Sequence, residues 1–83
     1  MRIVEDGVFI VYVYPDEFYQ PHHMPHCHVR WSGGETVLFL PTLKRVAGPT
    51  IPRKGTRFLI DHLEEICDGW NKCNPERTVD ANS

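Results

Sequence analysis

Apolar residues follow two different rhythms in this chain, alternating with polar ones through much of the first half and recurring every three or four positions near the end. Alternation places successive side chains on opposite faces of a pleated strand, whereas steps of three and four draw a stripe along a helix. Arg2 to Glu5, then Asp6-Gly7, then Val8 to Tyr14 predicts a β-hairpin, because Asp-Gly tolerates the positive φ values of a two-residue type I′ turn. Pro15 to Pro25 reads as an irregular loop, since prolines bring no backbone donor to a ladder. Extended structure resumes at His26. In HCHVRW the alternation sets His26, His28 and Arg30 on one face and Cys27, Val29 and Trp31 on the other, the second set facing the core. Ser32-Gly33-Gly34 turns the chain into Glu35 to Leu40, and Thr42 to Val46 supplies a short edge strand.

Pro52 suits a first helical position, where its missing N–H would have no partner in any case. From about Pro52 to Cys73 the residues Leu59, Leu63, Ile66, Trp70 and Cys73 form one continuous stripe, so one long helix is expected. Gly55 weakens its first turn by roughly 1 kcal/mol relative to alanine. Asn74-Pro75 stops it. The expected fold is α+β: an antiparallel β-meander of four to five strands with one long C-terminal α-helix packed on one face. Residues 1–73 make a single domain and 74–83 a flexible C-terminal tail. Val8 to Tyr14 and Thr36 to Leu40 are apolar on both alternating sets, and one helix covers only one face of a sheet. The other face is therefore expected to lie against a copy of the chain or a different protein, or beneath the 15–25 loop.

At 83 residues the chain has room for one small core and for roughly 3–5 kcal/mol of net stability. No stretch reaches the roughly 18 apolar residues of a membrane span, and the N-terminus lacks a basic segment followed by an apolar run, so a cytoplasmic protein is expected. Three cysteines without a CxxC pair indicate free thiols. The net charge of −2 hides a division. Lys44, Arg45, Arg53, Lys54 and Arg57 have no acid among them, while Asp61, Glu64, Glu65 and Asp68 have no base between them. Three bases at a helix start oppose the macrodipole, so an anion is their natural counterpart: a phosphate of nucleic acid or an acidic patch on a protein.

The segment QPHHMPHCHVRW, residues 20–31, holds four of the five histidines. His26 and His28 stand two apart on a strand, their Cβ atoms roughly 6 to 7 Å apart on one face. Three chemistries fit. With His22 they give three ligands for a transition metal such as zinc, with an open position for water, although no carboxylate support is evident nearby unless Glu35 on the paired strand reaches back. As an acid–base pair around the ordinary histidine pKa of about 6.5, with Arg30 as a phosphate clamp, they fit cleavage of RNA by its own 2′-hydroxyl. They also serve as plain polar partners to a neighbouring protein. His23 and His62 read as solvated surface, Trp31 and Trp70 as core anchors.

The run His22-x-x-Pro25-His26-x-His28-Val29-Arg30, followed by Gly34-Glu35, Ile51-Pro52-Arg53 and Trp70-Asn71, resembles the small bacterial family known as domain of unknown function 4160. Met24 stands where that family tends to carry a proline. Such proteins are commonly encoded beside one with domain of unknown function 2442, in pairs that look like toxin–antitoxin modules. The resemblance thus implies a toxin, held inactive by a small acidic antitoxin-like protein. His26 and His28 would then be its working pair, with Arg30 as clamp and His22 and Glu35 in support. The runner-up is a regulatory module without chemistry, binding protein or nucleic acid through the same face.

Overall fold

A computed structural model of the chain describes residues 1–15 and 24–82. Five strands, β1 (Arg2–Glu5), β2 (Ile10–Tyr12), β3 (His26–Trp31), β4 (Gly34–Phe39) and β5 (Arg45–Ala47), precede two helices, α1 (Arg53–Asp61) and α2 (Leu63–Cys73). The strands form one antiparallel sheet in sequence order, the meander that the alternation predicts. No helix among the described residues is long and apolar enough to cross a membrane.

The first hairpin differs from a two-residue turn. Glu5 pairs with Ile10, so residues 6–9 form the connection. The Asp6 carboxylate closes it, Oδ1 accepting the amides of Phe9 (2.8 Å) and Val8 (2.9 Å). Those two donors, Phe9 first, hold the Asp6 carboxyl below the usual carboxylate range. Phe9 thereby leaves the ladder and enters the core, where it is buried. The β3–β4 turn is the tighter one, since Trp31 pairs with Gly34 across Ser32-Gly33 alone. The Trp31 indole lies over Gly33, where an added Cβ would come within 2.3 Å of the ring.

Cross-strand pairing sorts the side chains. Val11, Val29 and Thr36 stand side by side, as do Cys27 and Leu38, and all five are buried. Leu59 of α1 and Ile66, Cys67 and Trp70 of α2 complete the same core. Removing each such aliphatic side chain from water contributes roughly 1.5–3 kcal/mol, which makes this face the main source of stability.

The single long helix is corrected to two. At His62 the backbone leaves helical values (φ −114°, ψ 15°), and its amide is shared between the carbonyls of Phe58 (3.2 Å) and Leu59 (3.3 Å). Neither proline nor glycine sits there. The imidazole instead packs on Phe58 at 4.8 Å between ring centres and meets Glu65 Oε1 at 2.8 Å through Nδ1. The apolar stripe runs through the break in register, so its periodicity could not reveal the interruption. Past it the buried face broadens, α1 burying Gly55 and Leu59 and α2 burying Ile66, Cys67, Gly69 and Trp70.

Residues 74–82, read from sequence as a tail, have contacts of their own. Trp70 Nε1 donates to Arg77 O at 2.6 Å. The Asn71 side chain exchanges hydrogen bonds with the Val79 backbone at 2.8 and 2.9 Å, and Val79 and Ala81 pack against the core.

Gly55 acquires a reason that composition does not give. An added Cβ would meet Ile51 Cγ2 at 2.4 Å and Phe9 Cε1 at 2.7 Å, so α1 approaches the first hairpin at a distance only glycine permits. Gly55→Ala is therefore expected to lower stability by about 1–3 kcal/mol in denaturant unfolding, although alanine is the better helix former by roughly 1 kcal/mol. An increase in stability would show that α1 does not rest on Phe9.

Candidate functional site on the histidine face of the sheet

The opposite face of the sheet gathers most of the chemistry. His28 of β3 lies between Tyr12 and Val37 in the ladder, and Arg30 between Ile10 and Glu35, so these residues share one side. Glu35 is diagonal to His28, within reach of a long side chain. Its two oxygens divide between neighbours: Oε2 stands 3.4 Å from His28 Nδ1 and Oε1 stands 3.5 Å from the Arg30 guanidinium. Glu35 thus reaches back across the ladder to His28.

Aromatic rings frame this trio. The Arg30 guanidinium sits 5.3 Å over the Tyr12 ring, an arrangement that favours the cation electrostatically. Tyr12 and Tyr14 are stacked, and Tyr14 meets His28 edge-on at 5.0 Å. His26 contacts His28 at 5.3 Å and Trp70 at 5.2 Å, and its Nδ1 lies 2.8 Å from Met24 O, to which it donates. The two tyrosines escape a motif search. The signal for Tyr12 is its pairing to His28 across β2 and β3, and Tyr14 follows two residues on, beyond the end of β2.

The two rings share a face as the strand period predicts, and both are buried. His26 is 4% exposed and His28 8%, and the rings of Tyr14 and Trp70 that meet them are ones a one-dimensional pattern does not bring together. Arg30 and Glu35 are the accessible members, with 59% and 42% of their side-chain surface exposed.

His22, the third candidate ligand, lies outside the described residues, as do most of the 15–25 loop and His23. Among the described residues no group of three or more histidine, cysteine or acidic side chains is gathered to hold a metal ion. His26 and His28 alone give two imidazoles, one backed by a carbonyl and one by a carboxylate.

The basic residues belong to the other side of the molecule. Arg45 pairs with Leu38, hence faces the helical layer, and lines a cleft together with Thr56 of α1. Lys44 adjoins it in sequence, and Arg53, Lys54 and Arg57 are exposed on α1. A larger, acidic cleft of about 620 Å³, bordered by Glu64, Asp68 and Asp80, lies between α2 and residues 78–82. The charge division seen in sequence is therefore also a division in space.

All three cysteines are free, and two are inert by burial. Burial pushes the Cys27 thiol up to about 12, with nearby Cys67 adding to it. Cys67 is raised chiefly by burial and then by Asp68 and Asp80. At neutral pH a thiol reagent is expected to modify Cys73 alone in the native chain and all three cysteines after denaturation. Rapid native labelling of Cys27 would contradict the packing of β3 against the helices.

No curated protein and no solved structure matches the chain. A family model does match, over residues 9–71, from the buried Phe9 through α1 and all but the last two residues of α2, and including every residue of β2, β3 and β4. The chain belongs to the family described as Domain of unknown function (DUF4160).

Proposed function

We propose that this protein is the toxin of a bacterial two-protein module and that it acts on RNA through the histidine face. The observation that carries the reading is Glu35 bridging His28 and Arg30 beside two stacked tyrosines. A carboxylate at Nδ1 favours the tautomer in which Nδ1 carries the proton, making Nε2 the accepting nitrogen. In this reading His28 takes the proton of a ribose 2′-hydroxyl, the 2′-oxygen attacks the adjacent phosphorus, and the 5′-oxygen departs with a proton from water. Arg30 faces the phosphate as negative charge builds on it, and Tyr12 and Tyr14 offer surfaces on which bases stack. His26, buried against Trp70, positions His28 and does not touch substrate. The module's second protein would be a small acidic one resembling domain of unknown function 2442, and the site of action would be the cytoplasm.

The burial of both histidines favours a second reading, a binding module without chemistry that presents Arg30 and Glu35 to a partner. Incubating the purified chain with total RNA in excess chelator separates the two. The toxin reading expects fragments ending in 2′,3′-cyclic phosphate, with the rate reduced about 100-fold or more in His28→Gln and less in Glu35→Gln, both variants retaining cooperative unfolding. RNA left intact, or cut equally by His28→Gln, would contradict it.

A further inference from the structure

The β5 edge of the sheet, on the side away from the histidines, brings together an open strand, a cleft and several bases. β5 ends the strand order, so among the described residues nothing pairs with its outer edge, and Arg45, Val46 and Ala47 are all exposed. An open edge is a row of backbone donors and acceptors ready for another strand. Beneath it, between β4, β5 and α1, opens a cleft of about 130 Å³ whose walls include Leu38, Leu43, Ile51 and Leu59. That is close to the roughly 150 Å³ that accommodates a benzene-sized group, hence room for one aliphatic side chain. The surroundings are basic. Among the described residues none of Lys44, Arg45, Arg53, Lys54 and Arg57 forms an ion pair, and Arg45 spends a donor only on Gly48 O at 2.8 Å. The first turn of α1 contains no acid that would balance them.

We infer that this edge is the docking site for an extended acidic segment of a protein partner, which adds a strand beside β5 and inserts one leucine-sized side chain into the cleft. Backbone pairing supplies register, the cleft supplies the anchor, and carboxylates on the segment meet the five bases. A nucleic acid fits less well. Aliphatic side chains and the threonines Thr50 and Thr56 line the cleft together with Arg45, so no aromatic ring is there for a base to stack on. The inference rests on the toxin reading only in identifying the partner with the module's second protein, and the site is separate from the histidine face.

The test uses the whole chain and a synthetic peptide of about ten residues, enough to flank an edge strand, rich in Glu and Asp with a single central leucine. Binding is followed by calorimetry and by amide shifts in nuclear magnetic resonance. Micromolar binding is expected, with the largest shifts at residues 45–47. Replacing the peptide leucine by glycine should weaken binding roughly tenfold or more, the factor that burial of one leucine supplies. The double variant Arg53→Glu/Arg57→Glu should weaken it similarly. Its fold is safe, because acids at a helix start are favourable. Thr56→Trp, at an exposed position on the cleft wall, should abolish the leucine dependence while leaving the charge dependence. Three results would overturn the inference: no binding, binding indifferent to the leucine, or a single-stranded uridine oligomer binding at residues 45–57 where the peptide does not. Since no nuclease activity enters this experiment, its failure leaves the RNA prediction standing, and failure of the RNA prediction leaves this one.

Discussion

Everything in this small domain is arranged around the pleat of β3, the central strand of the sheet and the one buried on both sides. Its six residues pair continuously with β4, from His26 opposite Phe39 to Trp31 opposite Gly34. A slip of one residue would turn Cys27 and Val29 away from the helices and drive His28 and Arg30 into them, so the register is held by the cost of both errors together. The same register places Glu35 diagonal to His28 and directly opposite Arg30. A stability constraint and a chemical arrangement are thus fixed by one set of backbone hydrogen bonds.

The two faces of the sheet have separate tasks. One is an apolar core against α1 and α2, which takes in Phe9 from the first hairpin and Trp70 of α2. The other is a layer of aromatic rings in which a histidine, a carboxylate and a guanidinium are linked side by side. Burial makes His28 a poor general surface contact and a well-oriented one, whereas Arg30 stays within reach of solvent. Arg45 and the bases of α1 lie with the helices, on the far side of the sheet from Arg30.

Much of this was legible in the chain. Period-two alternation suffices for β3 and β4 because each face of β3 has a distinct chemistry, and Gly33 marks the turn between them. The stripe from Leu59 to Cys73 predicts the buried side of both helices. The break at His62 is invisible to it, since the interruption arises from a ring contact with Phe58 and a bond to Glu65 and leaves the apolar register intact. The first connection is longer than Asp-Gly predicts because Asp6 acts through its carboxylate, capping two amides. In the site, alternation and proximity in sequence reveal His26, His28 and Arg30. The tyrosines and the enclosure of the imidazoles depend on β2 and α2, which meet β3 only in three dimensions. The contacts of residues 74–82 arise similarly, from Trp70 and Asn71 reaching for backbone groups that no local pattern announces.

The central claim is that Glu35 fixes the tautomer and orientation of His28 through the β3–β4 register. Long-range proton–nitrogen correlation spectra of the histidine rings, recorded near pH 8 where an ordinary imidazole is neutral, measure this directly. The account predicts a single Nδ1-protonated tautomer for His28, lost when Glu35 is replaced by alanine. An Nε2-protonated ring, or a rapidly averaged one unaffected by that substitution, would contradict it.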